Sequence, residues 1–136
     1  MKKMTEDDVV MYLAKYLKKE GWEILNQCTV NDQGIDIEAV KDDQTLLIEA
    51  KGAKGTKKNT RKPFFDKSQI RTHFGVAIVT IMELKTKFPN AALAIAQPDD
   101  ELIKTVLEDS IGHLEDFGIE HYWVSNDGTV RKKYLD

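Results

Sequence analysis

Two acids and a lysine, Asp36, Glu49 and Lys51, carry the chemistry this chain could do, because their spacing puts them on one face of a β-hairpin. Across residues 34–52, Ile35, Ile37 and Ala39 alternate with Asp36 and Glu38. In the second arm Leu46, Ile48 and Ala50 alternate with Leu47, Glu49 and Lys51, so both arms read as strands. The polar Lys41-Asp42-Asp43-Gln44 between them is turn-prone, and a two-residue or four-residue loop there sets one register, with Asp36 facing Glu49. A three-residue loop would shift the pairing by one. Directly opposed side chains lie about 4.5–5.5 Å apart at Cβ, where like charges repel, so something positive is expected between the acids. Lys51 points to the same face and supplies part of that charge. Two carboxylates converging on one point is also how hard divalent cations are held. The plain alternative is that these charges form the solvated face of a half-buried strand.

An acid after Gly-Ile, a short polar turn and an aliphatic run ending in Glu-Ala-Lys-Gly resembles the metal-binding core of the PD-(D/E)XK nuclease superfamily. That superfamily has a restriction-endonuclease-like fold and includes archaeal Holliday-junction resolvases. Ile35 stands where the motif's name has proline. The resemblance implies a Mg²⁺ or Mn²⁺ cofactor held by Asp36, Glu49 and the Ala50 carbonyl, with Lys51 orienting or activating the attacking water. It also implies DNA as the partner, and it is compatible with a homodimer.

The elements that must position this hairpin follow in order. Residues 5–20 read as an amphipathic helix with Thr5 as N-cap, an inner stripe of Val9, Val10, Leu13, Tyr16 and Leu17, and Gly21 as its stop. Glu6, Asp7 and Asp8 suit the helix dipole. Only Glu6 continues the inward stripe 6, 10, 13, 17, so it is the candidate for the first-helix acid that many members of the resembled superfamily add to the metal site. Residues 22–30 read as a first strand, with Asn31-Asp32-Gln33-Gly34 turning into the hairpin. Residues 67–88 carry Ile70, Phe74, Ile78, Ile81, Leu84 and Phe88 at helical spacing, as a long crossover helix on a sheet. Asp66-Lys-Ser-Gln69 fits a capping box, which accounts for Gln69 structurally. In the resembled family a polar residue on this helix often lines the cleft, which makes Gln69 a catalytic candidate, while His73, one turn on, could line the cleft or be merely structural. Phe64 and Phe65 fit either stacking on bases or anchoring the preceding loop to the core. Beyond them lie a buried strand at 91–96, a helix at 99–117, a strand at 119–124 and a last strand at 129–133 after Asn126-Asp127-Gly128.

The order α-β-β-β-α-β-α-β-β predicts an α/β fold with a mixed sheet, an antiparallel hairpin joined to parallel strands by right-handed crossovers. It matches the three-layer restriction-endonuclease-like fold of the resemblance, with helices flanking a mixed central sheet. The C-terminal tail faintly resembles excision-controlling factor proteins of cyanobacteria.

The net charge of −3 is unevenly spread. Lys51, Lys54, Lys57, Lys58, Arg61, Lys62, Lys67 and Arg71 fall within 51–71 against a single acid, Asp66, while the remainder is strongly acidic. A basic loop starting at the candidate lysine is the footprint of a phosphate-binding flank, or else a solubilising loop. With 136 residues, three prolines and no low-complexity run, one domain spanning 1–136 is expected, long enough to bury a core. The single cysteine, Cys28, forms no internal disulfide and suits a reducing, cytoplasmic setting as a small buried residue. The apolar stretch 9–13 is short and followed by Lys15, Lys18 and Lys19, so neither a signal peptide nor a membrane span is expected.

Three function classes compete: a Mg²⁺-dependent phosphodiesterase (endonuclease) acting on DNA, a non-catalytic DNA-binding module keeping the nuclease fold, and an unrelated α/β domain with solvated hairpin charges. The Asp, Glu, Lys set favours the first over the second, because two acids near a phosphate repel it unless a cation lies between.

Overall fold

The structure is a computed structural model that describes residues 3–27, 35–55 and 64–132. Its elements run α1 (Glu6–Lys19), β1 (Glu23–Gln27), β2 (Ile37–Lys41), β3 (Gln44–Ala50), α2 (Lys67–Lys87), β4 (Ala92–Pro98), α3 (Glu101–Gly112), a 3₁₀ turn (Leu114–Phe117), β5 (Ile119–Val124) and β6 (Val130–Lys132). The six strands form one sheet in sequence order. β1, β2 and β3 pair antiparallel, β3, β4 and β5 parallel, and β5 and β6 antiparallel, which is the mixed α/β arrangement the alternation of elements implied. Among the described residues no helix is long and apolar enough to cross a membrane.

Strand alternation divides the interior into two layers. On one face Val9, Val10, Leu13 and Leu17 of α1 pack on Ile37, Ala39, Leu46, Ile48 and Ala50, with Tyr122 and Val124 of β5. On the other, Ile70, Phe74 and Ile81 of α2 and Ile103 and Leu107 of α3 cover Leu47, Leu93, Ile95 and Ile119. Ala14 and Ala77 are fully buried where large stripe residues were not needed, because small side chains let a helix sit close to the sheet. Ile35 breaks the expected alternation with Ile37. The chain bends at Asp36, and Ile35 joins the layer under α2 and α3.

Several boundaries differ from those expected, each for a local reason. Asp100, not Asp99, caps α3: its carboxylate accepts the N–H groups of Leu102 and Ile103 at 3.0 and 3.2 Å, leaving Asp99 to pair with Lys104 and Arg131. The helix expected over 99–117 ends at Gly112, and a tighter 3₁₀ turn follows that buries Leu114 and closes on Gly118 at φ 73. Phe88, expected on the inner stripe of α2, leaves helical geometry at φ −131 and is half exposed. Tyr16 and Ile78 are only partly buried. The strand expected over 22–30 is described as far as Gln27; Cys28 and the turn at 31–34 lie outside the described residues.

Candidate metal centre

The turn between β2 and β3 fixes the site. Asp42 and Asp43 adopt φ 49 and 67, the left-handed pair of a two-residue hairpin turn, which aspartate tolerates better than most residues. Lys41 then pairs with Gln44 and Ile37 with Ile48, and one further step puts Asp36 opposite Glu49. Both acids are buried, with 6% and 8% of their surface exposed. A solvated strand face would leave them in water, so the plain alternative does not describe this hairpin. Asp36 is held in place by the Ala50 N–H, which donates to its carboxylate at 2.8 Å.

The third acid comes from α1. Thr5 caps the helix in a capping box with Asp8: the Thr5 hydroxyl accepts the Asp8 N–H at 3.2 Å and the Asp8 carboxylate accepts the Thr5 N–H at 3.0 Å. Glu6, at the first helical position, turns to the sheet instead. One carboxylate oxygen from each of Glu6, Asp36 and Glu49 lies within 4.8 Å of the others. Gly52 makes this approach possible. A Cβ there would stand 2.5 Å from the Glu6 nitrogen and 2.7 Å from the Thr5 carbonyl carbon, inside any van der Waals contact with backbone. The chain is then stitched to the helix start, because the Ala53 N–H donates to the Met4 carbonyl at 2.8 Å.

Crowding three acids away from water has an electrostatic cost. Burial first, then the hydrogen bond and charge of Asp36, push the Glu49 carboxyl up to about 9, against an opposing pull from Lys51. Burial and the charge of Asp36 push Glu6 up to about 7, again with Lys51 pulling down. At neutral pH the cluster as a whole therefore holds on to a proton that separate carboxylates would have lost. A cation among the three oxygens would replace that proton, and the all-oxygen donor set suits Mg²⁺ or Mn²⁺. The Lys51 N–H donates to the Ala96 carbonyl at 2.9 Å, and a trans peptide points its C=O the opposite way, so the Ala50 carbonyl faces the Asp36 side.

Other sequence candidates are placed differently. Gln69 closes the capping box of α2, its Oε1 accepting the Asp66 N–H at 3.0 Å while the Asp66 carboxylate accepts the Gln69 N–H at 2.9 Å. His73 lies farther along α2 with its ring against Phe65, centroids 4.4 Å apart, within the field of Lys51. Phe65 acts as an anchor, packed on the α2 and α3 layer with its N–H bonded to the Ala53 carbonyl at 3.0 Å; Phe64 is half exposed. Of the basic flank, Lys54 is partly buried and Lys67 and Arg71 are exposed. Lys57, Lys58, Arg61 and Lys62 lie outside the described residues. Sequence reasoning missed Gly52 and Ala53 as the seam between β3 and α1; the only local sign was a glycine directly after the lysine.

A larger open cleft of about 720 Å³ lies beyond Met4, between the ends of β4 and β5 and the start of α3. Its charges are engaged with one another, Lys3 with Asp100 and Lys104 with Asp99.

No family model matches this sequence. No curated protein matches it either. Two solved structures share its fold. An fdxN element excision controlling factor protein from Anabaena variabilis aligns over 92% of this chain and 96% of its own, with a TM-score of 0.60 and 20% identity. An XisH family protein from Nostoc punctiforme aligns over 91% of this chain and 96% of its own, with a TM-score of 0.56 and 16% identity.

Proposed function

We propose that this protein is a divalent-metal-dependent nuclease of the PD-(D/E)XK type that hydrolyses DNA phosphodiester bonds. The observation that supports it most is the convergence of Glu6, Asp36 and Glu49 from two separate parts of the chain, with Lys51 two residues beyond Glu49. A bound Mg²⁺ or Mn²⁺ would polarise a phosphoryl oxygen and lower the pKa of a water molecule. The chain's own groups do the rest. Glu6, Asp36, Glu49 and the Ala50 carbonyl supply oxygens, and the Ala50 N–H keeps the Asp36 carboxylate in one orientation. The Lys51 ammonium offsets negative charge developing on the phosphate and orients the attacking water. Lys54, Lys67 and Arg71 extend positive charge from the site along the flank that would take the phosphate backbone.

Three converging acids, two of them buried, also favour catalysis over simple DNA binding, since binding alone gains nothing from carboxylates that repel phosphate. One of the two similar solved proteins is named as an excision controlling factor, a role compatible with cutting DNA. Calorimetry with Mn²⁺ tests the reading. One binding event is expected in the wild type and none in Asp36→Ala or Glu49→Ala; binding that survives both substitutions refutes it.

A further inference from the structure

We infer that Gln97 is a positioning residue for Lys51, its amide oxygen steadying the ammonium from the neighbouring strand. The inference rests on the DNA-cleaving reading above and adds a residue that neither this reading nor the resemblance assigns.

Register puts the two side by side. The ladder between β3 and β4 pairs Glu49 with Ile95 and Ala50 with Ala96, and the Lys51 N–H carries it one step further by donating to the Ala96 carbonyl. Lys51 therefore stands beside Gln97, about 4.8 Å away across the sheet. Pro98 comes next and has no N–H to give the Lys51 carbonyl, so the ladder stops at this pair. Leu47, Leu93 and Ile95 face the layer under α2 and α3, and alternation sends Glu49, Lys51 and Gln97 to that same side.

Gln97 is an unexpected residue for this layer, being only 2% exposed. Its Oε1 can only accept, so the His121 Nε2–H donates to it at 2.9 Å. His121 is equally buried, with its ring 4.4 Å from that of Trp123 between centroids. An apolar pair would fill the same space without desolvating polar atoms, and a buried hydrogen bond between neutral groups adds little net stability. What the pair supplies is an oxygen fixed in place on the flank of Lys51. A carbonyl oxygen accepts two hydrogen bonds, and the one from His121 leaves a second position. The four-carbon stem of Lys51 is long enough to bring its ammonium to that oxygen, one strand away. Among the described residues no ion pair ties this ammonium to an acid.

Single-turnover cleavage at saturating Mn²⁺ is the test, with Gln97→Met and with Gln97→Met/His121→Phe, each made with Lys51 present and in Lys51→Ala. Methionine keeps the length of Gln97 without its oxygen. The double variant replaces both hydrogen-bonding partners by apolar groups and keeps a ring on Trp123, so thermal unfolding should be nearly unchanged. We expect both variants to cleave roughly tenfold more slowly than the wild type, the scale of one hydrogen bond to a charged group, with Mn²⁺ and DNA affinity unaltered. In Lys51→Ala neither should slow cleavage further, because Gln97 acts only through that lysine. Wild-type cleavage by the double variant would show that the pair only fills the core, and the inference alone would fall. An equal loss with and without Lys51 overturns it as well. If the wild type cuts no duplex, single-stranded or branched DNA, the functional reading falls and takes the inference with it.

Discussion

Replacing Asp36 by Asn and by Ala separates its two roles in the metal-free protein. Asn keeps an oxygen for the Ala50 N–H and for the hydrogen bond with Glu49, and removes the charge that, behind burial and that hydrogen bond, helps push Glu49 up to about 9 and, behind burial, Glu6 up to about 7. One pKa unit corresponds to about 1.4 kcal/mol. Burial is the larger cause, so relief of repulsion is worth on the order of 1 kcal/mol, and Asp36→Asn should be as stable as the wild type or more so. Ala removes the same charge but leaves the buried Ala50 N–H without this acceptor, at about 1–3 kcal/mol. Asp36→Ala should therefore unfold about 1–3 kcal/mol more easily than Asp36→Asn. Urea unfolding at pH 8 in EDTA measures the difference. Equal stability of the two variants, or an equal loss in both, would refute the reasoning about the hydrogen bond and the repulsion together.

Three further outcomes are expected. Because the folded-state values of Glu6 and Glu49 lie above the ordinary 4.5, the folded chain binds more protons than the unfolded one, and metal-free stability should fall as pH rises from about 5 to about 9. Mn²⁺ should flatten that slope by replacing the protons, and a metal-free stability that rises with pH over this window contradicts it. Gly52→Ala drives a methyl group into the backbone at Thr5 and Glu6, and should lower stability by about 1–3 kcal/mol and weaken Mn²⁺ binding; unchanged thermal unfolding would show that the seam is loose. Replacing Lys54, Lys57 and Lys58 with Gln should reduce the slope of log affinity against log salt by roughly 0.9 per lost contact on duplex DNA, and an unaltered slope rules out backbone contacts there.

The hairpin and its register were legible in the sequence, since period-two alternation and Asp42-Asp43 are local signals and pairing follows from them by counting. Glu6 was legible for a similar reason: the stripe 6, 10, 13, 17 fixed which of three neighbouring acids turns inward, and the capping box absorbs Asp8. Gly52 could not be read. Its importance comes from the α1 backbone, far away in sequence, that closes to within van der Waals range. The same holds for the link from Met4 through Ala53 to Phe65. At Asp99 and Asp100 the sequence offers two adjacent acids of the same chemistry, and only the partners across the fold, Lys104 and Arg131, decide which one caps the helix. Ile35 shows the limit of alternation: a bend at a buried acid sends its neighbour to the opposite layer.

Single-turnover cleavage by wild type and Lys51→Ala at saturating Mn²⁺, on supercoiled, linear, single-stranded and branched DNA, tests the central claim most directly. Metal and DNA affinity must be measured on the same preparations. If Lys51 stabilises charge on the phosphate or activates water, the variant should cleave on the order of 10²-fold more slowly or worse while binding metal and DNA nearly as well. Cleavage by Lys51→Ala at the wild-type rate would contradict the catalytic role, and a wild type that binds DNA but cuts none of these forms would contradict the enzyme itself.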